Sequence, residues 1–557
     1  MVRVHMVSNA APQSTGRRLL TAFIGIIGIA MMISMAHAER VVLVGSTSQL
    51  AVFNVLYTDG GLSLEAAKHV QRGLLMVADP DSGDVWRGEL AAEVPSTQNG
   101  GVEIEGDRMT ITYRLRDGVT WHDGEPVTSA DVKATWEMIM NPDNAVVTRF
   151  GYNLIDSVET PDDLTVVMHY REPFPAWPIL FDAIIPEHVI DANSPGLDDS
   201  LAMRQPIGFG PFMWTETRPG EQAVMVAFDD YWAGRPQVDR MVLTSYPSTD
   251  ALLQAVEAGA IDIAWRVNVN DVPALQAMEP RGIRILTNPQ AGSDRYIMNA
   301  DADQAPIFDD RNVRLAIHHA IDRQLIVDRL LGGIAEVAVS EWHGSAWVHP
   351  SLPEYEFDPE RSIALLEESG WFRGSDGIRE RDGERLSFRH TVITGDTLRE
   401  NVQIVVQQML REVGIEVVID NARTADLFGR WADGGRWARG EYELGGWAHG
   451  LRVPDPEVSA RYLCDEIASE DNPAGSQWYR YCNPEVDALM RQQSTTIDAD
   501  ERRELILRAQ ELIHEDAYHV YLYSSPSVYT ANQHIHNFQL HPFGVSYWNV
   551  HELEWRD

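Results

Sequence analysis

The stretch Gly106–Val132, GDRMTITYRLRDGVTWHDGEPVTSADV, decides the fold. Met109, Ile111, Tyr113 and Leu115 alternate with Thr110, Thr112 and Arg114, which is the period of a half-buried strand. Asp117-Gly118 and Asp123-Gly124 are turn signals on either side of Val119-Thr120-Trp121-His122. Thr128 then suits a helix N-cap, with Asp131 three residues on as a capping-box partner, for a helix running through Trp136. The pattern predicts a hairpin feeding a helix. Downstream, DYWAGRPQVDRMVLTSYPSTDALLQAVEAGAIDIAW repeats the punctuation: a turn at Gly234 to Pro236, a strand through Val242 and Leu243, a helix from Thr249 to Glu257, and a strand at Ile261 to Ile263. Strands alternating with helices indicate an α/β protein.

The rest of the chain sets the context. Arg17 and Arg18 precede the apolar run LLTAFIGIIGIAMMISM, which ends at Ala36-His37-Ala38, so residues 1–38 read as a cleaved export signal. The run is short for a membrane anchor and the cleavage pattern follows it directly. At 557 residues the chain needs more than one core. A net charge of −38, with lysine only at positions 68 and 133, excludes nucleic acid as a partner, because phosphate backbones require dense Lys/Arg surfaces. Cys464 and Cys482 are the two cysteines of the sequence; in an oxidising compartment they are expected to form a disulfide.

Several ordered motifs carry a resemblance to a known family. The opening stretch resembles the F-x-L-R-x-G-V-x-W-H-D-G-x-P-x-T-A-x-D-V signature of extracellular solute-binding proteins of family 5, the dipeptide and oligopeptide-binding class of ABC importers. IGFGPFMWTETRPG (Ile207–Gly220), DYWAGRPQVD, FDDRNVRLAIHHAIDRQLIVDRLLGG (Phe308–Gly333), FDPERSIALLEESGW and YRYCNPEVDALM follow in family order, with YWNV near the end. The resemblance implies a two-lobed periplasmic-binding-protein fold of the cluster C type, with an extra subdomain inserted in the first lobe. Lobe I is placed at 39–287 and lobe III at 288–530, with a C-terminal return to lobe I at 531–557. The crossings fall near LTNPQAGSDRYIMNAD and YLYSSPSVYTANQ. The implied function is periplasmic capture of a peptide or peptide-like solute in the interlobe cleft and its delivery to an ABC permease complex in the inner membrane. A monomer is expected, and no cofactor.

Residue periodicity supports the same division. Val313, Ile317, Ala320 and Ile321 form an apolar helical stripe, as do Val402, Val405, Val406, Met409 and Leu410 before Gly414 and the strand IEVVID. Arg314, Asp322 and Arg323 read as surface or helix-terminus charges. An enzyme would need a constellation that the chain lacks: there is no G-x-S-x-G, no H-E-x-x-H and no Walker A loop. His534 and His536 are two imidazoles without a marked third ligand. A secreted hydrolase is the alternative outside the family; an oligosaccharide, opine-like or metal-chelate ligand is the alternative within it.

The ligand site is expected around GGWAHGLRVPDPEV. Peptide-binding relatives carry an aspartate shortly before the D-P pair, where it holds the ligand's ammonium group; here Leu451 and Arg452 occupy that region, ahead of Asp455-Pro456. Arg452 is therefore a candidate to receive a carboxylate or phosphate, the alternative being a solvent-facing loop arginine. Trp447, Trp214 and Trp342 are candidate apolar walls, and His449 and Asp455 candidate polar contacts.

Overall fold

In a computed structural model, described residues are 39–556 apart from 51, 59–60, 80–84, 145, 191–205, 290, 452–453, 525, 542, 544–545 and 547. The expected export signal, residues 1–38, and Arg452 lie outside them. The strand read from the opening stretch spans Arg108–Arg114 and buries Met109, Ile111 and Tyr113. Its hairpin partner is the upstream strand Val102–Glu105, joined by Gly106-Asp107. The expected partner downstream is corrected: Val119–His122 is tied by one bridge, Thr120 to Pro126, because turns close in on it from both sides. Strands Ile155–Asp162 and Thr165–Tyr170 complete a four-stranded antiparallel sheet. The following helix spans Ser129–Met140, and the Asp131 carboxylate accepts from the Thr128 N–H at 2.7 Å, as the capping box requires.

Two larger sheets form the centres of two lobes. In the seven-stranded sheet the order is Ile283–Pro289, Pro526–Asn532, Ile263–Val267, Val41–Ser46, Arg240–Ser245, Gln222–Ala227 and Phe212–Arg218. In the six-stranded sheet it is Glu336–Val337, His519–Ser524, Gly292–Met298, Leu444–Gly450, Ser387–Thr391 and Glu416–Ile419. The chain crosses between the sheets twice, side by side and antiparallel. Ile283–Pro289 pairs with Pro526–Asn532 in one sheet, and Gly292–Met298 with His519–Ser524 in the other. The return strand thus joins the first sheet from Pro526 onward rather than at Ala531.

Helix Thr397–Val413 packs Val402, Val406, Leu410 and Val413 inward and ends at Gly414, whose φ of 94° lets it serve as the left-handed C-cap. Each of these buried aliphatic side chains contributes about 1.5–3 kcal/mol. Helix Thr249–Glu257 has the expected bounds, and the strand after it runs Ile263–Val267. Asp322 is a helix N-cap, but Arg314 and Arg323 are buried, correcting the surface reading: Arg314 donates to the Asp516 carbonyl at 2.8 Å and Arg323 to that of Tyr521 at 2.7 Å. Guanidinium donors here satisfy a helix-end carbonyl and a strand carbonyl that the packing removes from water. His534 pairs with Asp262 at 2.8 Å. Cys464 and Cys482 form a disulfide with Cα atoms 5.0 Å apart. Among the described residues no helix is long and apolar enough to cross a membrane.

Candidate functional site

Strands Val41–Ser46, Arg240–Ser245 and Ile263–Val267 are mutually parallel, and Ile283–Pro289 runs in the same sense because both it and Ile263–Val267 are antiparallel to Pro526–Asn532. Their carboxyl ends therefore lie at the crossings. In the second sheet, Ser387–Thr391, Glu416–Ile419 and Leu444–Gly450 are parallel, and Gly450 pairs with Gly292 at the start of the crossing strand. Both sheets thus turn the carboxyl ends of their parallel strands toward the crossings, where open α/β sheets hold ligands. Gly292 is required at this junction: its φ is 133°, and a Cβ would lie 2.4 Å from the Gly450 Cα.

At this edge the second sheet carries a charged network assembled from five separate segments of the chain. Arg295, in the crossing strand, places Nη1 3.2 Å from the Glu341 Oε2, and both side chains are fully enclosed. Arg461 also pairs with Glu341, and the Tyr462 hydroxyl donates to it at 2.5 Å. Burial opposes ionisation of Glu341, yet the Arg295 and Arg461 guanidinium groups hold its carboxyl well below the usual carboxylate range. Arg295 Nη2 donates to His449 Nδ1 at 2.6 Å, and the Tyr479 hydroxyl also meets that nitrogen. A guanidinium has donors only, so Nδ1 is the acceptor and the ring proton resides on Nε2. Burial, with the Arg461 and Arg295 charges, keeps the His449 imidazole well below its ordinary pKa and hence neutral. Nearby, Arg399 in the first turn of its helix bonds Asp294 at 2.7 Å and also holds Asp396.

The first lobe has its own buried carboxyl, Glu65 in helix Gly61–Val70. It accepts from the Ser546 hydroxyl at 2.5 Å, and burial pushes it up to about 7 against that bond and the Arg266 and Arg72 charges. Among the described residues no group of three His, Cys, Asp or Glu side chains could hold a metal ion.

The residues expected from sequence divide between site and scaffold. His449 lies in the network. Trp447 is buried in the middle of the same strand, its ring 4.7 Å from Trp437 and 6.0 Å from Tyr479. Trp342 is corrected to core: it is fully enclosed, stacks on Tyr462 at 6.0 Å and donates its indole N–H to the Pro456 carbonyl at 3.1 Å. Asp455 is corrected likewise, since both its oxygens accept from Arg502, at 2.8 and 2.9 Å. Trp214 packs edge-on against Phe53 at 5.3 Å, on the outermost strand of the first sheet. Arg295, Glu341, Arg461, Tyr462 and Tyr479 were not anticipated. Their one sequence signal is Arg295, a charge directly ahead of the apolar Tyr296-Ile297-Met298 of its strand.

Comparison with known proteins agrees with this architecture. A model of bacterial extracellular solute-binding proteins, family 5 (middle), matches residues 86–469. The oligopeptide-binding protein AppA of Bacillus subtilis is 26% identical over 513 residues, covering 90% of this chain and 89% of AppA. Heme-binding protein A of Haemophilus influenzae is 23% identical over 477 residues, 79% of this chain and 81% of that protein. Among solved structures, AppA in complex with a nonapeptide superposes with a TM-score of 0.72 at 23% identity, covering 93% of this chain and 100% of that one. NikA from Brucella suis in complex with Fe(III)-EDTA gives 0.77 at 22% identity, with the same coverage. Both structural likenesses are likenesses of fold.

Proposed function

The chain belongs to the bacterial extracellular solute-binding proteins of family 5, and on that premise we propose that it captures a peptide or peptide-like solute for an ABC importer. The observation that carries this reading is the pair of antiparallel crossings with the carboxyl ends of both sheets turned toward them. A ligand held there touches both lobes fully only when they are closed around it, so its differential affinity stabilises the closed state. In this reading the chain divides into lobe I at about 39–287 with its C-terminal return, and lobe III between, with the paired crossings in support. The peptide assignment leans on AppA, whose structure holds a nonapeptide; the likeness to NikA with Fe(III)-EDTA supports a metal chelate as the second reading.

In this proposal residues 1–38 direct export to the periplasm, where the mature chain acts as a monomer and docks closed onto a permease complex whose ATPases supply the energy. It turns nothing over. Calorimetric titration of the unfolded, refolded and thereby stripped protein with a random tripeptide library tests the reading. Binding with recovery of uncleaved peptides is expected; cleavage of the library, or binding of Fe(III)-EDTA in place of any peptide, would overturn it.

A further inference from the structure

Two guanidinium groups meet the single carboxylate of Glu341, which among the described residues leaves one positive charge without a partner in a largely enclosed place. Glu341 is saturated: it takes Arg295, Arg461 and the Tyr462 hydroxyl together. Arg295 is sealed inside, but Arg461 and His449 are 28% and 23% exposed, so they form the outer face of the network. Among the described residues Arg461 bonds only Glu341, through Nη1, which leaves Nε and Nη2 of a partly exposed guanidinium without a partner there. His449 spends Nδ1 inward on Arg295 and Tyr479, which fixes its proton on Nε2, and among the described residues Nε2 has no hydrogen-bond partner. The two side chains of this outer face therefore turn donors outward. An uncompensated cation in a partly desolvated place is costly until an anion joins it.

We propose that Arg461 and His449 are the seat of a carboxylate of the ligand, with Arg295 and Glu341 as the buried frame that aims them. The inference deepens the proposed function by naming the ligand's chemistry at one wall, and it rests on that reading for the place of the ligand. A guanidinium edge and a neighbouring N–H suit the two oxygens of a carboxylate, and charge-assisted bonds of this kind are among the strongest available. An ammonium group at the same point would face the Arg461 guanidinium and an imidazole N–H, with no acceptor from either. The chain's overall negative charge opposes an anion only weakly here, because exposed charges beyond about 10 Å are screened at ordinary ionic strength.

The test uses the refolded wild-type protein with three probes: a random tripeptide library with free C-termini, the same library C-terminally amidated, and glutarate. Binding is followed by calorimetry and by the ¹⁵N signals of His449, assigned with His449→Gln. The acid library should bind at least tenfold more tightly than the amidated one, and both it and glutarate should move the His449 Nε2 signal. Arg461→Gln should abolish the acid preference. Arg461→Lys, which keeps a counter-charge for Glu341 and so guards against simple misfolding, should retain a weaker preference. Equal affinity for acid and amide would refute the seat while leaving the peptide reading intact. Glutarate binding that depends on Arg461, with neither library bound, would uphold the seat and remove the peptide reading. An unmoved His449 signal with every carboxylate probe, or an acid preference undiminished in both Arg461 variants, would overturn the assignment.

Discussion

Replacing Asp455 by alanine separates a scaffold role from a ligand role at the position where the D-P pair suggests a ligand contact. In the structure both Asp455 oxygens are held by Arg502, and the two side chains are only 9% and 5% exposed. Removing one partner of a buried pair costs about 3–5 kcal/mol, because the remaining charge is left in a poor solvent. Glu457 lies 3.7 Å from Arg502 and takes up part of the charge, which places the expectation near the lower end. A domain of 150–250 residues loses roughly 2–4 °C per kcal/mol, so melting of this lobe should fall by about 6–12 °C. Differential scanning calorimetry gives the melting temperature, and isothermal titration with a bound peptide gives the affinity at 25 °C, where the variant remains folded. The double variant Asp455→Leu with Arg502→Leu should recover part of the loss, since an apolar pair leaves no buried charge. An unchanged melting temperature together with a tenfold loss of affinity would refute the scaffold reasoning and make Asp455 a ligand group.

Three further outcomes follow from other contacts. Thiol labelling of the denatured, unreduced chain should find no reactive cysteine, and opening the Cys464–Cys482 bridge should cost about 3 kcal/mol for a loop of this size; two labelled thiols per chain would contradict it. Glu65 is raised from 4.5 to about 7 in the folded state, so the native chain holds a proton that the unfolded chain has released, and stability falls as pH rises between those values. Against Glu65→Gln, urea denaturation of the wild type should show a relative loss of up to about 3 kcal/mol from pH 4.5 to pH 7.5, and a pH-independent difference would dismiss the raised carboxyl. Gly292→Ala should destabilise by more than about 1 kcal/mol, because the residue must adopt a φ of 133° and its Cβ would meet the Gly450 backbone; a neutral result would mean the crossing is easily rebuilt.

Features set by neighbours along the chain were legible in the sequence. Thr128 and Asp131 announced a helix start, Gly414 a helix end, and two lone cysteines their own pairing. Val119–His122 misled because its residue types suit a strand, while two flanking Asp-Gly turns leave room for a single bridge. Sheet order was not legible: Val41–Ser46 pairs with Arg240–Ser245 and Ile263–Val267, a long-range choice that local periodicity does not encode. Nor was most of the site. Arg295, Glu341 and Arg461 come together from separate segments, so no spacing marks them, and Trp342 looks in sequence like any aromatic wall until its indole is found closed on the Pro456 carbonyl.

The central claim is that this chain carries a peptide or peptide-like solute between its lobes, and native mass spectrometry of protein purified gently from the periplasm tests it most directly. The account predicts excess mass that releases on unfolding and that tandem fragmentation reads as short peptides with free carboxyl termini. Released material containing no peptide bond, such as a metal chelate or an oligosaccharide, would contradict it.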